Sequence, residues 1–164
     1  MATIIVEDGS IVTGANSYAT VAEFTAYCSD RNITIHSNHG DESELLIKAM
    51  DYFEQQPFKG IKYLETQPVQ FPRADFYIDG YLIDTDAIPK LVKDAQITIA
   101  VSIMEGTDPL ADIDRATKRE KVDVIEIEYM DNSAPATVSR SISAIMRKLV
   151  VSSTSGNSFS LLRA

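Results

Sequence analysis

The chain has 164 residues, 45% hydrophobic and 24% charged, a balance that fits one globular domain with a real core. Its formal net charge of −9 opposes a broad nucleic-acid footprint, which needs clustered Lys and Arg to release phosphate counterions. A single cysteine, Cys28, excludes an intrachain disulfide and a cysteine metal cluster.

Thr3 to Val6 is a β-branched run closed by Glu7-Asp8-Gly9-Ser10, which predicts a strand and a turn. Gly14-Ala15-Asn16-Ser17 supplies a loop and an N-cap for a helix from Tyr18, with Val21, Phe24, Thr25 and Cys28 on one face. Cys28 is expected there as a buried small hydrophobe rather than a reactive thiol. The polar stretch Asn32 to Gly40, with His36 and His39, reads as a loop. Asp41 and Glu44 predict a capping box, followed by a stripe of Leu45, Leu46, Ala49, Met50 and Phe53 that Pro57 stops.

Residues 58–75 are punctuated by proline and read as mostly irregular. Asp79-Gly80, between Phe76-Tyr77-Ile78 and Tyr81-Leu82-Ile83, is a strong two-residue hairpin signal. Asp84-Thr85-Asp86 predicts the cap of a helix that Pro89 enters in its first turn. Its stripe is Val92, Ala95, Ile99 and Ile103, and Gly106 with Pro109 ends it. A strand is expected over Val122 to Tyr129, with a slip of phase. Val122 and Val124 share one face, whereas Ile125, Ile127 and Tyr129 share the other. Either a bulge separates them or both faces are covered, one by a neighbouring subunit, so these five residues are candidates for an inter-subunit contact. Asp131-Asn132-Ser133 turns the chain. Pro135 and Thr137 then open a last helix with Val138, Ile142, Ile145, Met146 and Leu149 as its stripe.

The expected fold is mainly α with a small antiparallel β-sheet or hairpin, an α+β class with about four helices. One domain is expected over residues 1–151, with an N-terminal arm at about 1–16 and a flexible C-terminal arm at 152–164. That second arm is a Ser, Thr, Gly and Asn tether, Ser152 to Ser158, carrying Phe159, Leu161 and Leu162 beyond it. Exposed Phe and Leu gain nothing from water, so the tip is expected to dock, on its own domain or on a partner.

Chemistry-bearing patterns are few. His36 and His39 lack the further Cys or His pair that a zinc site requires. Asp79, Asp84, Asp86, Asp108, Asp112 and Asp114 do not form a calcium-loop pattern and read as caps and turns. No phosphate loop, nucleophile elbow or zinc-protease motif is present, so the expectation is no enzyme, no catalytic residues, no metal and no cofactor. Arg115, Lys118, Arg119 and Lys121 form the one compact basic cluster, interrupted by Glu120 and followed by Asp123. It reads as a solvated strand edge, with a DNA contact as the alternative. No signal-peptide pattern and no apolar run of transmembrane length appear, which points to a protein of intracellular origin.

The order Val6-Glu7-Asp8-Gly9-Ser10, Gly14-Ala15-Asn16-Ser17-Tyr18, Phe58-Lys59-Gly60, Phe71-Pro72-Arg73, Asp86-Ala87-Ile88-Pro89, Val92-Lys93-Asp94-Ala95-Gln96 and Lys118-Arg119-Glu120-Lys121-Val122, with a terminal Leu-Arg-Ala, resembles a tailed-phage family over nearly the whole chain. Its members are also labelled DnaT-like single-stranded-DNA-binding proteins, and the chain is similar to head–tail connector, or neck adaptor, proteins. Related sequences often carry Trp where this chain has Phe71. The resemblance implies a non-enzymatic structural protein of the virion neck, made in the host bacterial cytoplasm. It implies a twelve-fold ring under the portal that joins head to tail and extends the DNA channel. Implied partners are the portal, neighbouring copies, a tail-side neck or tail terminator protein, and double-stranded DNA in passage. Phe159, Leu161, Leu162, Arg163 and Ala164 correspond to the portal-binding arm. The alternative it implies is single-stranded DNA binding, with Tyr and Phe stacking beside Arg115, Lys118, Arg119 and Lys121.

Overall fold

The computed structural model describes residues 2–110, 117–121, 126–129 and 139–151, with backbone alone in 117–121 and 126–129. Among these residues four helices, α1 (Val21–Asp30), α2 (Glu42–Phe53), α3 (Lys90–Met104) and α4 (Arg140–Leu149), surround one core. Six short strands pair as three antiparallel two-stranded ribbons. These are β1 (Ile61–Lys62) with β2 (Arg73–Ala74), β3 (Tyr77–Ile78) with β4 (Tyr81–Leu82), and β5 (Thr117–Lys121) with β6 (Glu126–Tyr129). The class is α+β, as the sequence predicts.

Helix α3 is central because it is apolar nearly all round. Val92, Ala95, Ile97, Ile99, Ala100, Val101, Ile103 and Met104 are all buried, which requires neighbours on more than one side. Helices α2 and α4 pack on it. The stripe of α2 is buried as expected, and Asp41 with Glu44 forms the reciprocal capping box. Helix α4 buries Ile142, Met146 and Leu149 behind a Ser139 cap. Val138, with Pro135 and Thr137, lies outside the described residues. An aromatic cluster of Tyr18, Phe53, Phe58, Phe71 and Phe76 fills the other side of the core, with ring centroids 4.6 to 6.2 Å apart.

Four expectations are corrected. Helix α1 begins at Val21, not Tyr18, with Thr20 and Glu23 as its capping box. The amides of Tyr18 and Ala19 instead donate to the Gln96 carbonyl oxygen at 2.8 and 3.0 Å, so a long-range bond takes the place of a helical one. Thr3 to Val6 makes no ladder. Val6 forms one parallel bridge to Ser17, and Glu7 folds back so that its buried carboxylate accepts the N–H groups of Gly9, Ile11 and Val12, each at 2.9 Å. Pro89 is the N-cap residue of α3 and no side chain caps it, since Asp84 to Asp86 form a turn that packs against Gly9. Finally, the described part of the strand expected over 122–129 is β6, Glu126–Tyr129, and 122–125 lie outside the described residues. Lys121 pairs with Glu126 and Thr117 with Tyr129, so the basic segment is itself a strand, β5, returning as β6.

The end of α4 is stitched to the chain after α2. Lys59 N donates to Leu149 O at 3.0 Å, Phe58 bridges Val150, and Val151 N donates to Pro57 O at 2.8 Å. The described chain therefore leaves at Val151 antiparallel to residues 57–59.

Candidate functional site

Ribbons β1–β2 and β3–β4 follow each other through residues 75–76, and each is too narrow to bury both of its faces. The β3–β4 turn places Asp79 and Gly80 at φ of 51° and 89°, the left-handed pair that a two-residue hairpin requires. Tyr77 then stands opposite Leu82 and Ile78 opposite Tyr81. Phe76 is buried and Ile78 packs on the core, which leaves the remaining side chains outside. Tyr81 is 77% exposed, Tyr77 49% and, beyond β1, Tyr63 48%. Ile61, Leu64 and Leu82 are exposed beside them. Tyr77 and Leu82 share one face of β3–β4 and Tyr81 lies on the other, so large apolar side chains meet solvent on both sides of the hairpin, and these are candidates for contact with a partner.

What holds this surface is buried and polar. The Arg73 guanidinium donates to the carbonyl oxygens of Lys59 at 2.7 Å, Gly60 at 2.8 Å and Gln70 at 3.3 Å, and to Gln70 Oε1 at 2.8 Å. It thereby ties β1 to β2, with Phe58 and Phe71 rings flanking it. Gly60 sits at φ 68°, and a Cβ there would strike the carbonyl of Ala74, so the crossing of the two strands needs glycine. Gln67 Nε2 donates to Val69 O and Pro72 O, which fixes the loop between them. Beneath lies a coupled pair. Tyr18 Oη donates to Glu54 Oε1 at 2.7 Å and itself accepts from Phe71 N, while Glu54 Oε2 accepts from Gln70 N. Burial, reinforced by the Glu54 charge, pushes the Tyr18 phenol well above its usual range. Burial also raises the Glu54 carboxyl, against the pull of its hydrogen bonds and of Lys62 and Arg73. Desolvation likewise lowers Arg73. Both Glu54 oxygens are occupied by structural donors, so this perturbed carboxylate is a strut of the loop.

The cations at the ribbons are Lys59, Lys62 and Lys148. Lys59 Nζ donates to Lys148 O at 2.8 Å, and Lys148 Nζ pairs with Asp79 at the hairpin turn at 2.9 Å. That pair is exposed on both sides and contributes little energy, leaving the lysine free to exchange partners.

The sequence-derived candidates fall elsewhere. Lys118, Arg119 and Lys121 lie on β5, where Arg119 stands opposite Glu128 and Lys121 opposite Glu126. The register thus places an acidic residue opposite two of these three basic ones. Ile127 and Tyr129 lie on β6, opposite Glu120 and Thr117. Arg115, Val122, Val124, Ile125 and the tail residues Phe159, Leu161, Leu162, Arg163 and Ala164 lie outside the described residues. Phe24, Phe53, Phe58, Phe71 and Phe76 are core, so phenylalanine stacking from the described part of the chain is ruled out. Among the described residues no group of three or more His, Cys, Asp or Glu is placed to hold a metal. Tyrosine stacking was an expectation without named positions, and sequence reasoning did not single out Tyr63, Tyr77 and Tyr81, although their signal was present. A two-residue turn fixes the register, and that register puts one tyrosine on each face of a ribbon.

Fold and surface together define a small α+β domain bearing an aromatic, lysine-bordered pair of ribbons. The family described as "Putative DnaT-like ssDNA binding protein" matches over residues 2–164, and the chain belongs to it. No curated protein and no solved structure matches the chain.

Proposed function

We propose that the two ribbons are a binding surface for single-stranded DNA and that the chain works by binding, without catalysis. The observation that carries this reading is the placement of Tyr63, Tyr77 and Tyr81 in solvent on neighbouring ribbons beside Lys59, Lys62 and Lys148. The description of the family agrees with it. Bases stack on tyrosine faces without regard to sequence, and lysines follow the backbone. With three cations in an acidic chain, binding should be modest. About three neutralised phosphates give a log–log salt slope near −2 on a single strand. Fluorescence anisotropy with an oligo(dT) probe tests this. Tyr81→Ala and Tyr63→Ala should each cost about 1–3 kcal/mol, between about fivefold and about 150-fold in Kd. Failure to bind at low ionic strength would sink the reading.

A second reading, a neck adaptor of a tailed phage, draws on the net charge of −9 and on the aliphatic side chains among the tyrosines. On this reading Ile61, Leu64 and Leu82 meet a neighbouring copy in a closed head-to-tail ring. Val122, Val124, Ile125, Ile127 and Tyr129 extend that contact. Phe159, Leu161, Leu162, Arg163 and Ala164 reach the portal, a tail-side protein sits below, and DNA passes through the ring without being gripped. The site of action is then the virion neck. Deleting residues 153–164 should abolish co-assembly with purified portal and leave the domain folded. Unchanged co-assembly would remove the tail from the account.

A further inference from the structure

A cleft of about 420 Å³ opens at the C-terminal end of α2, away from the tyrosines. Its apolar side chains are Ala15, Ile47, Met50 and Val69, and Asp51 and Glu54 supply its charge. Asp51 lies in the last turn of α2 and Glu54 is its C-cap, where the helix dipole is already negative and the last turn carries no basic residue. A ligand that suits this cleft is apolar with one cation.

We propose that the occupant is this chain's own C-terminal segment, docked in cis, with Phe159, Leu161 and Leu162 on the apolar side and Arg163 against the exposed Asp51. The path supports it. At Val151 the chain runs antiparallel to residues 57–59, so it heads toward residues 56 and 55 at the rim of the cleft. Val151 N is bonded to Pro57 O, and Gln55 lies two residues before Pro57, so the rim is within roughly 10 Å. The seven residues Ser152 to Ser158 span about 13–16 Å as a flexible coil, enough to cover that distance and to make the intramolecular contact favourable. Arg163 supplies the cation that the last turn of α2 lacks. The inference rests on neither functional reading; in the adaptor reading it describes the arm before assembly.

The test is paramagnetic broadening in the full-length protein. Ser160→Cys provides a site for a nitroxide, and Cys28 is buried and stays unlabelled. The amide signals of Ile47, Met50, Asp51 and Gln55 should be lost when label and isotope share one chain. They should survive in a mixture of spin-labelled unenriched chains with unlabelled enriched ones. Asp51→Lys, a change at an exposed helix position, should restore them. Unbroadened α2 signals, broadening confined to the β3–β4 hairpin, or equal broadening in the mixture would each overturn the proposal, the last by assigning the tail to a second copy.

Discussion

Gln96 sits fully buried on α3 and uses its whole amide. Its oxygen accepts from Tyr18 N and Ala19 N, and its Nε2 donates to Ser17 Oγ at 2.8 Å and to Leu46 O at 3.0 Å. One side chain therefore joins the loop before α1 to both α2 and α3. Gln96→Leu keeps the volume but removes the acceptor of Tyr18 N, one of the two acceptors of Ala19 N, and the donor to Ser17 Oγ and Leu46 O. The expected cost is about 2–5 kcal/mol, read as a lower urea midpoint with an unchanged slope. Glu7 and Arg73 act in the same way on their own loops. The residues by which the family resemblance is recognised, Glu7, Gly9, Phe71, Arg73 and Gln96 among them, are thus struts of the scaffold. That explains why motif order pointed to a family and gave no working surface. The tyrosines of the ribbons carry no such motif.

Elements whose signals are local were legible, and those set by distant partners were not. The Asp41 capping box and the Asp79-Gly80 turn each need only adjacent residues, and both are present. The start of α1 depends on Gln96, 77 and 78 residues away, so Ser17 read as a cap in error. Strand β5 is Thr-Lys-Arg-Glu-Lys, with no apolar alternation to reveal it, whereas the apolar Val122 to Tyr129 drew the strand to itself. Turn glycines divide along the same line. Gly80 has open space around it, so Gly80→Ala should cost only the left-handed strain of about 1 kcal/mol. At Gly9 a Cβ would run into the Asp86 backbone, and Gly9→Ala should cost above roughly 3 kcal/mol by the same chemical denaturation. For α1 the check is pH. Burial pushes the Glu23 carboxyl up, but its bonds from Lys93 and Thr20 prevail and hold it below the ordinary 4.5. A depressed acid stabilises the fold above its unfolded value, and that stability is lost as pH falls through the folded value. Glu23→Gln should therefore be less stable than the parent at neutral pH, and the gap should close in acid. Equal gaps at both ends would refute the assignment. Glu54 runs oppositely, since burial of its charge is relieved on acidification.

At the scale of the whole molecule, an acidic chain places Tyr63, Tyr77 and Tyr81 in solvent on or next to the ribbons where Lys59, Lys62 and Lys148 also lie. The compact basic cluster expected just before a strand falls on β5 itself, with Arg119 opposite Glu128 and Lys121 opposite Glu126 in the register. The α+β class and the main apolar stripes could be read from periodicity, because burial repeats every turn. The surface could not, because it depends on which face of each ribbon the core leaves uncovered. One consequence concerns the loops before α1. The amides of Gly9, Ile11, Val12, Tyr18 and Ala19 belong to no helix or ladder, yet each donates to a buried side-chain oxygen of Glu7 or Gln96. Their protons have no acceptor to reach while those side chains stay in place. In deuterium these loop amides should be released only with the protein's slowest exchanging set, so the N-terminal loops behave as part of the last cooperative unit to open.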